Sequence, residues 1–187
     1  MRAVVVYESM FGNTHEIAGV VGRRLAQVAD VSVIPLDDAS TTIIGDADLV
    51  VVGGPTHVHG MSRPKTLDAA VEASSKPDGP ELDPDAPGPG LRAWFDELPA
   101  GSAMAAAFDT RLEGPAVLTG RASKGIARRL HRHGYELLAE PESFLVTKHN
   151  TLADGEVEHA ERWAEALIGA AIPAGRSAGT SPGASTS

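Results

Sequence analysis

The stretch that decides the fold is AVVVYESMFGNT at positions 3–14, an apolar run followed by small polar residues. Ala3–Tyr7 is a continuous run rich in β-branched side chains, which is typical of a strand covered on both faces of its sheet. After Asn13, apolar residues recur every three or four positions, which predicts an amphipathic helix. Asn13 and Glu16 predict a capping box at its start. The apolar helical positions are Ile17, Val20, Val21, Leu25 and Val28.

Strand and helix patterns then alternate along the chain. Further strands are predicted at Val31–Pro35, Leu49–Gly53 and Ala103–Phe108, with a fifth in two pieces at Glu136–Leu138 and Ser143–Val146. Helices are predicted at about Pro64–Glu72, Leu91–Leu98, Lys124–His133 and Val157–Ile168. Such alternation implies right-handed crossovers between parallel strands. We therefore expect an α/β fold in which a doubly wound, five-stranded parallel sheet carries helices on both faces.

Two stretches do not follow this alternation. Positions 74–90 are rich in Pro, Gly and Asp and show no periodicity, which predicts a loop inserted into the domain. Pro173–Ser187 is rich in Pro, Gly, Ser and Thr, which predicts a disordered tail. The 187 residues suit one domain, which we place at 1–172.

Composition and charge exclude several classes of protein. The chain has no cysteine, which rules out disulfides, thiolate metal sites and thiol nucleophiles. Its net charge of −9 argues against nucleic-acid binding and is compatible with either solubility alone or docking to a basic protein partner. The apolar run near Met1 is too short for a signal sequence or a membrane span, so we expect a cytoplasmic protein with no membrane partner.

The polar loop after the first predicted strand has the features of a phosphate site. Ser9–Thr14 lies where the first strand gives way to a helix, and the first N–H groups of a helix are unpaired at the positive end of its dipole. Ser9, Asn13 and Thr14 would add hydroxyl and amide donors, while Gly12 would allow the backbone to approach closely. A capped turn without a ligand is the alternative.

This loop resembles the phosphate loop of the flavodoxin family, whose members bind FMN. Phe11 stands where many flavodoxins have a hydroxyl, so one phosphate contact would be lost or supplied by a backbone amide. The resemblance implies the flavodoxin-like fold with FMN as cofactor. It assigns the whole segment to the FMN phosphate, namely Ser9, Met10, Phe11, Gly12, Asn13 and Thr14.

Two further loops at the same predicted sheet edge extend the resemblance. The segment after the third strand is similar to the flavodoxin loop that packs on the isoalloxazine ring, and the segment after the fourth is similar to the loop that reads its pyrimidine edge. The resemblance implies flavin contacts from Pro55, Thr56, His57, Val58, His59 and Gly60 in the first loop and from Phe108, Asp109, Thr110 and Arg111 in the second.

Several of these residues also have simpler interpretations. Phe108 could be a core residue at the end of its strand, and Arg111 could be a solvated loop cation rather than a charge near flavin N1. The H-x-H pair of His57 and His59 has no evident further ligand, so no metal site is predicted. The basic segment Arg121–Arg132 is a solvated helix face, or else a site for a partner or an anion.

Three functions remain open on the sequence. The favoured one is an FMN-containing electron-transfer flavoprotein with a redox partner protein, either a reductase or an acceptor. The second is an FMN-dependent oxidoreductase that uses NAD(P)H and a quinone. The third is a flavodoxin-like interaction module without flavin. No catalytic acid or base is apparent, so whether the chain is an enzyme stays open, and no catalytic residue is assigned.

Overall fold

A computed structural model describes residues 1–57, 60–86, 88 and 90–172. Its centre is one parallel sheet in the order β2-β1-β3-β4, with β5 and β6 both paired to the outer edge of β4. The fold is therefore an α/β sheet with helices around it, as predicted. The strands are β1 (Arg2–Tyr7), β2 (Asp30–Pro35), β3 (Leu49–Pro55), β4 (Met104–Leu112), β5 (Glu136–Leu137) and β6 (Glu142–Val146).

The central strands are the most apolar because helices cover both of their faces. Val5 and Val51 are fully buried and lie opposite one another in the register of β1 and β3. The fifth position of the sheet is filled by two short strands, as the sequence predicted. β5 pairs with the start of β4 at Met104, and β6 pairs with its end from Phe108 onward.

Seven helices are present in the described residues, and two of them, α2 and α5, had no prediction. On one face of the sheet α1 and α7 pack over Val5, Val51 and Phe108. On the other face α2, α4 and α6 pack over Val4, Val50 and Val52. The helices are α1 (Asn13–Leu25), α2 (Thr41–Gly45), α3 (Pro64–Ser74), α4 (Gly90–Glu97), α5 (Ala116–Thr119), α6 (Ala122–Arg132) and α7 (Glu156–Ala171).

The predicted capping box at Asn13 is wrong. Asn13 is the first residue of α1, and the N-cap position belongs to Gly12, with φ of 90° and no side-chain cap. The Asn13 amide instead donates to the backbone oxygen and Oδ1 of Asn150, at 3.2 and 3.3 Å. A left-handed N-cap favours glycine because a Cβ would be strained there.

Two strands run further than predicted, which moves candidate residues from loops into the sheet. β3 ends at Pro55 rather than Gly53, and β4 ends at Leu112 rather than Phe108. The extension of β4 is held on one side by β6, and on the other the Thr56 N–H donates to the Thr110 oxygen at 2.8 Å.

The described part of the predicted 74–90 loop, beyond the end of α3, has no helix or strand before α4 begins. It packs on the loop after β1, where the Asp83 N–H donates to the Met10 oxygen at 2.8 Å. Leu82 and Ala86 pack against Met10 and Leu67 in a small apolar cluster. Pro87, Pro89 and the predicted tail 173–187 lie outside the described residues. Among the described helices, none has the length and apolarity needed to cross a membrane.

Candidate functional site

The loop between β1 and α1 leaves a row of backbone donors without partners. The Gly12 N–H donates to Ser9 Oγ at 3.1 Å, which folds the loop back on itself. The next backbone hydrogen bond along the chain is donated by the Glu16 N–H, within α1, to the Gly12 oxygen. Within the described residues, no hydrogen bond satisfies the N–H groups of Met10, Phe11, Asn13 or Thr14. These groups lie at the positive end of α1, where an anion is favoured.

The polar side chains of this loop are used to fix its shape. Thr14 Oγ1 lies 2.7 Å from Thr110 Oγ1 at the end of β4, and both residues are buried. Asn13 is bonded to Asn150 in the loop after β6. The sequence predicted that these side chains and Ser9 would bind a phosphate directly. In the structure Thr14 joins the loop to β4 and Asn13 joins it to the loop after β6. Ser9 Oγ accepts a hydrogen bond within the loop, and the backbone presents the free donors.

A cavity of about 220 Å³ opens beside this loop, along the carboxyl ends of the strands. Its walls combine apolar side chains with a few polar groups, the usual composition of a small-molecule site. This edge of an open α/β sheet is also where such folds bind ligands. The lining residues are Met10, Phe11, Asn13, Thr14, Pro55, Thr56, His57, Thr110, Arg111, Leu112, Val146 and Asn150.

The segment after β3 contributes one wall of the cavity. His57 exchanges two backbone hydrogen bonds with Gly60, of 2.8 and 3.0 Å, which closes a tight turn. Burial lowers the pKa of the His57 imidazole, and its Nε2 is buried without a partner among the described residues. Gly60 itself does not line the cavity. Val58 and His59, also predicted to contact the flavin, lie outside the described residues.

Thr56 and Asp109 tie three elements together beneath the cavity. Thr56 Oγ1 donates to Asp109 Oδ2 at 3.0 Å and accepts the Ala122 N–H at 2.9 Å. Asp109 Oδ2 also accepts the Ser123 N–H, at 2.8 Å, in the first turn of α6. Asp109 is fully buried, so its carboxylate is a structural acceptor and does not reach the cavity.

Phe108 is a core residue, the simpler of its two interpretations, and its side chain does not line the cavity. Its side chain is fully buried and packs edge-on against Phe144 and Trp163, with centroids 5.9 and 5.8 Å away. It fills the space over Gly53, where a Cβ would lie 2.0 Å from the ring. The ring faces the layer formed by α1 and α7.

Arg111 is held in place at the rim of the cavity. One terminal guanidinium nitrogen donates to the Gly114 oxygen at 2.8 Å and to Thr119 Oγ1 at 2.9 Å. Its Nε is buried and has no partner in the described part of the chain. The side chain therefore places a fixed positive charge beside the cavity, and it is not a freely solvated cation.

Sequence reasoning missed three residues that line the cavity. Leu112 extends β4, whereas Val146 and Asn150 belong to β6 and the loop after it. Asn150 has φ of 60°, a conformation that asparagine tolerates better than most residues. An Asn in a short polar loop after the last strand was the available signal.

A group of acidic residues from the inserted loop lies next to the first loop. Asp83 is buried, and its Oδ2 lies 3.9 Å from the point where a Cβ on Gly12 would stand. His15 Nδ1 is 3.3 Å from Asp83 and 3.5 Å from Asp85, which in turn accepts the Tyr7 hydroxyl at 2.6 Å. Burial and the bond to Asp85 raise the pKa of Tyr7. These carboxylates set a negative charge at one side of the predicted phosphate site.

Comparison with known proteins identifies the fold. No protein-family model matches the sequence, and no curated protein matches it either. Among solved structures, an archaeal flavodoxin aligns with a TM-score of 0.61 at 20% identity, covering 91% of this chain and 99% of its own. Oxidised flavodoxin 1 from Bacillus cereus gives 0.62 at 18%, covering 90% and 97%.

A larger redox protein contains the same fold as one part of its chain. Rubredoxin oxygen:oxidoreductase from Desulfovibrio gigas aligns with a TM-score of 0.56 at 18% identity, over 91% of this chain but 36% of its own. These likenesses, which span most of the chain, show that it has the flavodoxin-like fold.

Proposed function

We propose that this chain binds FMN and transfers electrons to or from a partner protein. The observation that carries the proposal is the row of unpartnered N–H groups at Met10, Phe11, Asn13 and Thr14, which opens beside the cavity. A phosphate is the anion that such a cradle suits, because several N–H groups can donate to its oxygens at once. The resemblance of this loop and of the fold to flavodoxins supports FMN as the phosphate-bearing group.

The cavity beyond the loop suits an aromatic ring system. Met10, Phe11, Pro55 and Leu112 give it apolar walls, beside several polar groups. The buried Nε2 of His57 has no described partner, and a ring heteroatom or carbonyl would satisfy it. The residues present therefore fit FMN, with the phosphate on the first loop and the ring between the segments after β3 and β4.

Each part of the site then has its own task. The backbone of the first loop binds and orients the phosphate, while Thr14 and Thr110 keep that loop in register with β4. Arg111 holds a positive charge at the rim, which favours a reduced, anionic ring. The bound FMN would supply the redox chemistry, and the protein would set its potential and the exposure of its edge.

An apolar surface beside the cavity supports a protein partner. Leu112, Val117 and Leu118 are 57%, 90% and 67% exposed, although they are large apolar residues, and Leu112 also lines the cavity. Large apolar side chains left exposed beside a cavity are typical of a docking surface. Electron transfer with a reductase or acceptor protein is therefore favoured over a function without a partner.

An oxidoreductase acting on NAD(P)H and a quinone is the second candidate. The observation in its favour is that no Trp or Tyr lines the described cavity, where Phe11 is the sole aromatic besides His57. A ring bound there would have one face open to a small acceptor. The exchange of electrons directly with NAD(P)H and a quinone would distinguish this enzyme from a carrier.

The decisive experiment compares FMN with riboflavin, which lacks the phosphate. We expect FMN to remain bound through gel filtration and to bind at least 100-fold more tightly than riboflavin, since each charge-assisted hydrogen bond contributes about 1.5–3 kcal/mol. Thr14→Val should weaken FMN binding by disturbing the loop. Thr42→Val, at an exposed position of α2, should leave FMN binding unchanged. Equal affinity for the two flavins would refute the phosphate site, and failure to retain either would favour the flavin-free module.

A further inference from the structure

A second cleft, of about 530 Å³, lies along α6 and contains a concentration of positive charge. Six of the sixteen Lys and Arg residues of the chain line it, and no Asp or Glu is among its described lining residues. The chain as a whole carries a net charge of −9, so this clustering opposes its average. The cationic residues are Arg92, Arg121, Lys124, Arg128, Arg129 and Arg132.

The spacing along α6 places like charges on one side of the helix. Lys124, Arg128 and Arg132 are separated by four positions each, and residues four apart are neighbours on a helix surface. Like charges at this spacing destabilise a helix. The arrangement therefore lowers the stability of the fold. Such a loss of stability is typical of a binding site whose ligand is absent.

Half of the six cations are already fixed by the protein, and half are available. Arg92 donates to the Ser62 oxygen, Arg121 to Ser143 Oγ, and Arg129 to Asp96 Oδ1. Burial and the charges of Arg63 and Arg129 lower the pKa of Arg92, which shows how crowded the positive charge is. Exposed Lys124, Arg128 and Arg132 have no ion-pair partner among the described residues.

We propose that this cleft binds a ligand with two or more clustered phosphates, of the nucleoside diphosphate class. One carboxylate or phosphate would neutralise few of the six cations, whereas a diphosphate carries enough negative charge to pair with the three that have no ion-pair partner among the described residues. Guanidinium groups suit phosphate oxygens because they donate in a planar, bidentate fork. The volume lies within the range of small-molecule sites, roughly 300–1,000 Å³.

The cleft adjoins the cavity assigned to FMN but does not depend on it. Gly60 lines the cleft and is bonded to His57, which lines the cavity. Met61 and Gly125 also line the cleft and pack closely, since a Cβ on Gly125 would lie 3.2 Å from Met61 Cε. Phosphate binding in the cleft can therefore be tested on protein without flavin, and its failure would leave the FMN proposal standing.

The test is calorimetric titration of the full chain with inorganic pyrophosphate, followed by a nucleoside diphosphate and NADPH. We expect pyrophosphate to bind saturably, with an affinity that falls at higher ionic strength. In Arg128→Gln and in Arg132→Gln the affinity should fall at least tenfold. The matched control is Arg23→Gln, an exposed arginine on α1 outside the cleft. Both cleft variants should keep or raise the melting temperature, because each removes a like-charge contact.

The remaining outcomes separate the possible ligands. Tighter binding of the nucleoside diphosphate or of NADPH than of pyrophosphate would support the proposal and identify which source of phosphates is bound. Absence of saturation, or equal weakening in Arg128→Gln and Arg23→Gln, would overturn it. Binding of a polyglutamate peptide but not of pyrophosphate would also overturn it, because the cleft would then be a docking surface for an acidic protein.

Discussion

Replacing Asp109 tests how the candidate site is attached to the sheet. Its carboxylate is fully buried and accepts two hydrogen bonds, from Thr56 Oγ1 at 3.0 Å and from the Ser123 N–H at 2.8 Å. In Asp109→Ala the buried Ser123 N–H and the half-buried Thr56 hydroxyl would both lose their acceptor. The loss costs about 1–3 kcal/mol for the buried N–H and about 1–2 kcal/mol for the half-buried hydroxyl, so we expect a total of about 2–5 kcal/mol.

The assay is thermal and urea unfolding followed by circular dichroism. For a domain of this size, 1 kcal/mol corresponds to roughly 2–4 °C, so Asp109→Ala should lower the melting temperature by about 4–20 °C. Asp109→Asn keeps an acceptor in place and should cost less. Asp68→Ala, on the exposed side of α3, is the control and should stay within about 0.5 kcal/mol of the wild type.

A double-mutant cycle with Thr56→Val isolates the contact between the two side chains. We expect a coupling free energy of about 1–3 kcal/mol, since the two residues bond directly. Additive costs, or a loss below about 1 kcal/mol in Asp109→Ala, would refute the reasoning. Either result would mean that desolvation of the carboxylate, whose Oδ1 has no described partner, offsets the bonds of Oδ2.

Three further predictions concern buried groups around the site. Gly53→Ala should destabilise the fold by about 1–3 kcal/mol in urea unfolding, because its Cβ would overlap the Phe108 ring, and Phe108→Leu should recover part of that loss. Burial raises the pKa of Glu8, so wild-type stability should fall as pH rises above about 4.5, and Glu8→Gln should remove this slope in unfolding curves at pH 4, 5.5 and 7. Burial lowers the pKa of His57, so the stability of the wild type should fall as pH drops below 6.5. His57→Gln should make the stability less dependent on pH in this range. An unchanged dependence would place the imidazole in water.

The sheet could be predicted because its central strands have one physical cause. Apart from exposed Arg2, β1 and β3 are covered on both faces, so Ala3–Tyr7 and Leu49–Val52 are apolar at every position and can be recognised without tertiary information. α2 and α5 escaped prediction because they are only five and four residues long. So short a segment shows no complete helical period.

The sequence predicted most of the positions that line the cavity, but not the contacts that their side chains make. The resemblance placed Asp109 in a loop that contacts the flavin, yet β4 continues through it and α6 supplies a buried N–H donor to its carboxylate. Asn13 was predicted to be a helix cap from its position before the helix. Its actual partner, Asn150, is 137 residues away in the sequence. Contacts over such distances leave no local pattern.

Phe108 shows that one tertiary contact could have been read from the sequence. Its alternative interpretation as a core residue is the correct one, because Gly53 lies directly opposite in the register of β3 and β4. A glycine in an apolar strand often marks a place where another group approaches closely. The missing side chain at Gly53 is the space that the Phe108 ring occupies.

Net charge and local charge lead to different expectations about partners. The total of −9 is compatible with a basic redox partner and equally with solubility alone. A ligand close to the surface responds mainly to charges within a Debye length, about 8 Å at physiological ionic strength. The charges around the site include Arg111 at the rim, the cations of the α6 cleft, and Asp83 with Asp85 beside the first loop. We therefore expect these local charges to decide how a docking partner is oriented, with an acidic group of the partner directed to the α6 cleft and a basic one to the inserted loop.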